Sequence, residues 1–289
     1  MRIDLHVHST ASDGTDPPAQ VMRRARAAGL DIVALTDHDT TAGLAAAERA
    51  LPAGLTLVSG MELSCLTDSH SVHLLGYLFD AADPHLTAEC ARIRESRRDR
   101  AQRMVARLRA LGVPVTWEQV RAIAGRGTIG RPHVARAMVA AGVIKRFEQA
   151  FTKDWLAPGG RAYVSRYAPT PPRAIALVRA AGGVAVLAHP RAGRGWRFPL
   201  SELPALAAVG LAGIEVDHPD HDDAQRAELR RAARETGLIE LGSSDDHGSL
   251  TGHRIGCETT SHANYRRLVA LAVGAKPVRG SRHGPETPP

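Results

Sequence analysis

The feature that most limits how this chain can fold is a set of seven short, β-branched apolar runs whose trailing ends collect histidines and carboxylates. The runs are Ile3–Val7, Asp31–Thr36, Leu55–Ser59, Val72–Leu78, Val184–Ala188, Gly213–Val216 and Leu238–Leu241. Most are bounded by Gly, Pro or Asp, as strands are. Helical patterns lie between many of them. Pro17–Ala28 is one, with Asp16 as its expected N-cap and Gly29 just past its end. Thr41–Ala50, Pro171–Ala181, Asp222–Thr236 and His262–Val273 are others. Strands alternating with helices predict an α/β fold built on a parallel sheet, open or closed into a barrel.

The rhythm breaks between the fourth and fifth runs. From Pro84 to about Pro171 there is no convincing strand and there are at least three helical patterns. Ile93–Leu111 places Ala101, Met104, Leu108 and Leu111 at helical spacing, Thr116–Ala124 starts with a capping box formed by Thr116 and Gln119, and Pro132–Ala141 is the third. The expected organisation is therefore one domain made of 1–83 and 171–289, carrying a helical insertion over 84–170. Residues 280–289 (GSRHGPETPP) are expected to be a mobile tail.

Composition excludes several classes. Hydrophobic residues are 44% and charged residues 23%, so the chain can build a core and is not a disordered one. Cys65, Cys90 and Cys257 are odd in number and far apart, which excludes a disulfide scaffold, a zinc ribbon and a C-x-x-C dithiol. Nothing resembles a signal peptide or a membrane span, so the expected location is cytoplasmic, with no membrane and no obligate protein partner evident. The net charge is +7, and the only lysines among the 37 cations are Lys145, Lys153 and Lys276. Arginine suits bidentate phosphate contacts, although an Ala- and Arg-rich chain also arises from coding bias.

The histidines say more than the charge. The first run leads into His6-x-His8 and then Asp13-Gly14, and the second into Thr36-Asp37-His38-Asp39. Glu62 follows the third, His73 lies in the fourth, His189 ends the fifth, and Asp245-Asp246-His247 follows the seventh. Residues two apart in a strand point to the same face, so His6 and His8 can share one metal, and Asp245 and His247 have the same spacing. Functional groups of closed α/β barrels sit where the strands end. Six clusters in register with strand ends predict a polynuclear metal site. Imidazole and carboxylate without thiolate suit Mn, Fe or Zn.

DLHVHSTASDG, ALTDHD, GMELS, VHLLGY, AHP and SSDDHG stand in this order along the chain, and in them the sequence resembles the PHP family of polymerase and histidinol phosphatase domains. The resemblance implies a distorted (β/α)7 barrel with three divalent ions at its mouth, manganese first and iron or zinc as alternatives. It implies that His6 and His8 hold one ion with Glu62 and Asp245, that Glu62 bridges to a second held by His73 and His189, and that Asp13, His38 and His247 hold the third. His70 competes with His73 for its position, and the HLLGY context favours His73. Asp37 is expected to orient a ligand rather than bind metal. His218 and His221, in DHPDHDD, are expected to serve a loop or a helix cap.

Three divalent ions set against Asp13, Glu62 and Asp245 leave a surplus of positive charge that suits a phosphate. Clustered ions also lower the pKa of a shared water and clamp both attacking and leaving oxygens. The expected chemistry is phosphoester hydrolysis by metal-bound hydroxide with no covalent intermediate; no general acid is identifiable. Within the insertion, Gly130-Arg131-Pro132-His133 opens a helix, where backbone N–H groups and the helix dipole favour an anion. GRPH is similar to the motif of the subgroup that acts on 3′,5′-bisphosphonucleosides and trims short RNA from its 5′ end, which implies that Arg131 and His133 contact substrate phosphate. The preceding helix carries Arg92, Arg94, Arg97, Arg98, Arg100, Arg103, Arg107 and Arg109, a solvated face or a guide for a nucleotide. Aromatics are only 4%, so a phosphorylated nucleotide or short oligoribonucleotide is expected rather than long RNA. The competing readings are a histidinol-phosphate phosphatase, a non-phosphate amidohydrolase, and a non-catalytic module of the kind attached to polymerases.

Overall fold

In the computed structural model, which describes residues 1–68, 70–125, 127–192 and 196–281, the seven runs become neighbouring strands of one sheet in chain order. They are β1 (Ile3–Asp4), β2 (Ile32–Leu35), β3 (Thr56–Thr67), β4 (His70–Tyr77), β5 (Val184–Leu187), β6 (Leu211–Asp217) and β7 (Ile239–Gly242). The sheet curls into a nearly closed barrel: beyond the ends of β1 and β7, Val7 bridges Asp246 in parallel and His8 N–H donates to the Asp246 carbonyl at 2.9 Å. A short β8 (Val278–Arg279), not expected from the sequence, pairs with β3.

The sheet is not wholly parallel. β4 runs antiparallel to both β3 and β5. β3 continues for twelve residues, past the predicted end at Ser59, and turns into β4 through a tight hairpin in which Asp68 has φ 44°. This hairpin replaces one strand–helix–strand crossover and is the distortion of the barrel. It also means that Glu62 and His73 lie within strands rather than at strand ends.

Alternate residues of each strand face opposite sides, yet both sides are covered, which is why these strands read as unbroken apolar runs. Val184 and Val186 of β5 pack inside with Ile3, Leu5, Leu75 and Leu241, while Ala185 and Leu187 pack outward against α6 (Pro171–Ala180). The Tyr77 hydroxyl crosses the interior and donates to the Leu5 carbonyl at 2.8 Å. Outside lie α1 (Pro18–Ala27), α2 (Leu44–Arg49), α7 (Leu203–Ala208), α8 (Asp223–Thr236) and α9 (His262–Leu271). Asp222 forms a capping box with Gln225, and Gly237 ends α8 in the left-handed region. Asp16, expected to cap α1, instead bonds Arg24, and Pro17 occupies the cap position without a side-chain bond.

The 84–164 segment contains α3 (Pro84–Ala110), α4 (Trp117–Ala124) and α5 (Arg131–Ala140). Its apolar residues from Ala101 to Val164 form a separate buried cluster. The first turns of α3 pack instead on the barrel, through Leu86 and Cys90. Thus α3 spans both cores. The Thr116–Gln119 capping box is present. Of the expected mobile tail, 282–289 lies outside the described residues. No helix among the described residues is long and apolar enough to cross a membrane.

Candidate metal centre

One buried carboxylate organises the mouth of the barrel. Glu62 Oε2 lies 3.2 Å from His6 Nε2, 3.1 Å from His8 Nε2 and 3.0 Å from His38 Nδ1. Its Oε1 lies 2.7 Å from His73 Nδ1 and 3.0 Å from His189 Nε2. Five imidazoles from four segments therefore converge on one side chain, itself almost wholly buried. Asp245 Oδ1 adds to this cluster, 3.3 Å from His6 Nε2 and 3.2 Å from His8 Nε2. On its flank, Asp13 stands 3.4 Å from His247 and 3.7 Å from His38. The structure thus brings His6, His8, Asp13, His38, Glu62, His73, His189, Asp245 and His247 into one nest. His70 is not part of it: its ring stacks on Trp196 with centroids 4.5 Å apart.

Local folding explains these positions. Gly14 lets the 9–14 loop fold back on β1, since a Cβ there would meet the His8 carbonyl at 2.8 Å. Ser12 and Gly14 N–H groups both donate to the Ser9 carbonyl, and Asp13 between them faces His8 and His247. Asp37 braces that loop, accepting from Ser9 N at 2.8 Å and from Ser12 Oγ at 2.7 Å; Ser12 Oγ in turn lies 3.4 Å from His8 Nδ1. Asp39, His189 and Asp245 adopt positive φ of 55°, 24° and 49°. Three non-glycine residues held in that region beside one site are strained backbone that the surrounding contacts must impose.

The donor set fits divalent cations. Asp13 Oδ1, His38 Nδ1, Glu62 Oε2 and Asp245 Oδ1 are buried and have no hydrogen-bond partner among the described residues. Such atoms are costly when left bare, and here they face one another. Four groupings place their donor atoms within 4.8 Å of one another: His8, Asp13, His38 and His247; His6, His8, Glu62 and Asp245; His38, Glu62 and His73; and His6, His189 and Glu215. Burial opposes ionisation of Asp13, Glu62 and Asp245, but the surrounding imidazoles hold all three well below the usual carboxylate range. Burial likewise opposes charge on the rings, yet Asp245 and Glu62 push His8 up to about 10, and Glu215, Asp245 and Glu62 hold His6 well above its ordinary value. Burial prevails at His38, which is pushed down to about 3.

Two residues of the centre were not identified in the sequence as part of it. Glu215, buried in β6, accepts from His6 Nδ1 at 3.0 Å and from His189 N at 2.8 Å, and Ser243 Oγ donates to it. The charge of His6 holds this carboxyl down to about 2 in spite of its burial, so it adds a further negative charge to the mouth. When His6 gives up its second proton, Glu215 keeps the remaining one on Nδ1, so that the Nε2 lone pair would face the centre. His218, read as a loop or capping residue, does both jobs. Its Nδ1 accepts from Asp220 N at 3.1 Å, while its buried Nε2 has no hydrogen-bond partner among the described residues and lies 3.6 Å from Asp245 Oδ2. Because a backbone N–H can only donate, neutral His218 carries its proton on Nε2. That nitrogen is a donor and not a ligand. His221 keeps the expected loop role, bonding the Val216 carbonyl and the Arg191 N–H.

On the insertion side, His133 accepts from Gly130 N at 3.0 Å through Nδ1 and so caps α5. The same tautomer argument leaves its Nε2 with the proton, and burial holds the ring's pKa down despite the charge of Asp13. The Arg131 guanidinium lies 5.9 Å from the Phe151 ring centroid. The Arg run of α3 divides. Arg97 is buried and binds Asp39 Oδ2 at 2.6 Å and Ser64 Oγ, and Arg94 donates to the Asp39 carbonyl at 2.7 Å. Next to His38 in the chain, Asp39 therefore ties α3 to the barrel.

Residues 4–110 match the PHP domain family. The chain is 38% identical over 257 residues to a 3′,5′-nucleoside bisphosphate phosphatase of Chromobacterium violaceum, covering 87% of this chain and 89% of that one. It is 35% identical over 248 residues to a 5′-3′ exoribonuclease of Haemophilus influenzae, covering 85% and 90%. A solved structure described as a metal-dependent phosphoesterase from Bifidobacterium adolescentis superposes with a TM-score of 0.87 at 36% identity, over 94% of this chain and 96% of that one.

Proposed function

The chain belongs to the PHP domain family, and from that premise we propose that it is a metal-dependent phosphoesterase that removes the 3′-phosphate of 3′,5′-bisphosphonucleotides and trims short 5′-phosphorylated RNA from its 5′ end. The observation that carries the reading is Glu62, a buried carboxylate within 3.2 Å of five imidazoles, with bare donor atoms around it. The relatives named as a bisphosphate phosphatase and an exoribonuclease support the substrate class.

In this reading His6, His8, Glu62 and Asp245 hold one ion, Glu62, His73 and His189 a second, and Asp13, His38 and His247 a third, manganese being the first choice. Divalent ions bound there supply positive charge to the phosphate oxygens and acidify water. The protein's own groups do the rest. Glu215 and Asp37 hold His6 and the His8 loop in orientation. Arg131 and the His133 Nε2–H meet the phosphate from the insertion, the segment 84–170 that covers the site, with a charge-assisted bond and a neutral one. His218 Nε2–H, aimed at Asp245, is placed to donate to an oxygen at the centre.

The test is phosphate release by manganese-loaded protein from adenosine 3′,5′-bisphosphate, 5′-AMP, histidinol phosphate and a short 5′-phosphorylated RNA. A strong preference for the bisphosphate or the RNA is expected. Equal, feeble rates on all four would overturn the substrate class, and a preference for histidinol phosphate would replace it.

A further inference from the structure

Two helices of the insertion present matching pairs of side chains to one groove. Arg94 and Arg98 stand one turn apart on α3, and Trp117 and Arg121 one turn apart on α4, whose start the Thr116–Gln119 capping box fixes. With Ala11 and Thr40 of the barrel as its floor, these residues line a groove of about 630 Å³. Arg94 is anchored on the Asp39 carbonyl. Arg98 and Arg121 are exposed and, among the described residues, neither is ion-paired to a carboxylate, although Glu95 is also in the lining. Trp117 is half-buried against the apolar cluster of the insertion and lines the groove as well. Arg100, two residues past Arg98, points to the other side of the helix and lines the cavity that holds Trp196. The two sites are therefore separated by α3.

The groove reaches one particular flank of the metal centre. Thr40 is two residues past His38, and Ala11 two before Asp13. Thr128 N donates to the Ala11 carbonyl at 3.1 Å, and a Cβ on Gly127 would meet the Ser12 carbonyl at 2.6 Å, so the segment leading into α5 lies directly on the loop that carries Asp13. His73 and His189 instead line a cavity with Trp196, on another flank. In the proposed reaction on RNA the bond broken joins the 3′-oxygen of the first nucleoside to phosphorus, so the rest of the chain stays attached to the phosphate at the metals. That chain needs a path away from the centre, which a bisphosphonucleotide does not. A groove that sets arginines beside an aromatic ring can follow a single-stranded backbone and stack a base.

We propose that this groove, through Arg98, Arg121 and Trp117, holds the RNA chain downstream of the scissile phosphate over its next few nucleotides. The proposal rests on the reading of the centre as an RNA-trimming phosphoesterase, but the groove binds RNA whether or not the metals turn it over. A short oligoribonucleotide then gains contacts that a bisphosphonucleotide cannot make. One tryptophan and two free arginines suit a short track and not an extended one.

The test has a binding arm and a kinetic arm, both on the full-length protein. In the first, metal-free protein is titrated against a fluorescent 5′-phosphorylated pentaribonucleotide at increasing salt. Arg98→Gln and Arg121→Gln each weaken binding and flatten the slope of log affinity against log salt by about 0.7, the counterion release of one single-strand phosphate contact. Arg103→Gln, the same charge change at an exposed position on the side of α3 away from Arg94, leaves the slope as it is. In the second arm, kcat/KM is measured with manganese on adenosine 3′,5′-bisphosphate and on a 5′-phosphorylated dinucleotide and pentanucleotide. The two arginine variants and Trp117→Ala leave the bisphosphate unchanged and lower the pentanucleotide value about 10-fold, the size of one lost stacking or phosphate contact, with a smaller loss on the dinucleotide. Undetectable RNA binding by the wild type, an equal effect of Arg103→Gln, no loss on the pentanucleotide, or equal losses on bisphosphate and RNA overturns the groove. If the wild type binds the pentanucleotide through Arg98 and Arg121 but cleaves none of the substrates, the functional reading fails and the RNA groove stands. Should Trp117→Ala not fold, the two exposed arginines carry both arms.

Discussion

The barrel mouth and the inner face of the helical insertion are both buried, both charged and both short of partners, but in opposite senses. The mouth gathers Asp13, Glu62, Glu215 and Asp245 among histidines and leaves carboxylate oxygens bare. The insertion gathers Arg100 and Arg131, with Arg166 from the following loop, and among the described residues none of the three is ion-paired to a carboxylate. Direct pairing of the two sets would have neutralised both. Instead Asp39 and Arg97 are the only such pair linking α3 to the mouth among the described residues, and the remainder are held apart. The separation makes chemical sense if cations fill the first gap and a doubly charged anion the second. Each region then completes the other only when metal and substrate are both present.

The most severe break in that comparison is Glu62→Gln. Removing the charge leaves five imidazoles around a neutral amide, and both metal content and kcat should collapse, the latter by at least about 10³-fold. Circular dichroism should be little changed, because the barrel core is made by other residues. Arg131→Ala is the control from the other region. It should keep its metal and lose about 10–1000-fold in kcat/KM. Metal analysis alongside kinetics checks the pair, and metal loss in Arg131→Ala would show that the two regions are not separable.

Asp39→Asn attacks the tie between them. It leaves Arg97 buried without its counter-ion, for which the expected cost is about 3–5 kcal/mol. Urea unfolding should show this as a lower midpoint. A stability within about 0.5 kcal/mol of the wild type would mean that α3 is held by its apolar contacts alone.

A gentler perturbation is pH. In the metal-free protein the surrounding carboxylates raise His6, His8 and His189 above their ordinary values, His8 to about 10, so His8 holds its proton at neutrality. Metal needs the free lone pair. Uptake must therefore release protons, and apparent affinity should rise with pH by about tenfold per unit for each proton released. The charge on His8 also stabilises the metal-free protein below its ordinary value of 6.5, and that contribution is lost as pH rises through about 10. Calorimetry of manganese binding in two buffers of different ionisation enthalpy counts the protons, and zero release would show that the rings are already neutral.

The two regions also differ in how far their sequence betrays them. At the mouth, a strand turns a histidine every second residue to one face, so His6-x-His8 and the clusters after β2, β5 and β7 announce themselves. The hairpin does not: Gly60 punctuates what is one twelve-residue strand, and the run that follows looks like any parallel strand until its partners are known. Glu215 was missed because one carboxylate in GIEVD looks like the solvent side of an alternating strand, whereas this strand is buried on both faces. In the insertion, eight arginines on one helix hide the ones that matter. The signal was there, since Ile93, Arg97, Arg100, Ala101, Met104 and Leu108 form one helical stripe, and an arginine within an apolar stripe is not on a solvated face.

His218 gives the smallest expected effect and the sharpest distinction. Its position beside Asp245, among six other histidines of the mouth, invites reading it as a tenth ligand. The bond from Asp220 N to its Nδ1 argues otherwise, because it leaves the proton on the nitrogen that faces the centre. A ligand and a donor respond differently to His218→Gln. Loss of a ligand would lower metal content and raise the manganese concentration needed for activity. Loss of a donor should leave metal content unchanged and reduce kcat by about 10–100-fold, the usual range for one positioned proton-transfer group. The effect should also shrink with substrates whose leaving group needs no proton, such as 4-nitrophenyl phosphate. If kcat falls equally on good and poor leaving groups while metal is retained, His218 orients Asp245 and does not serve the leaving oxygen.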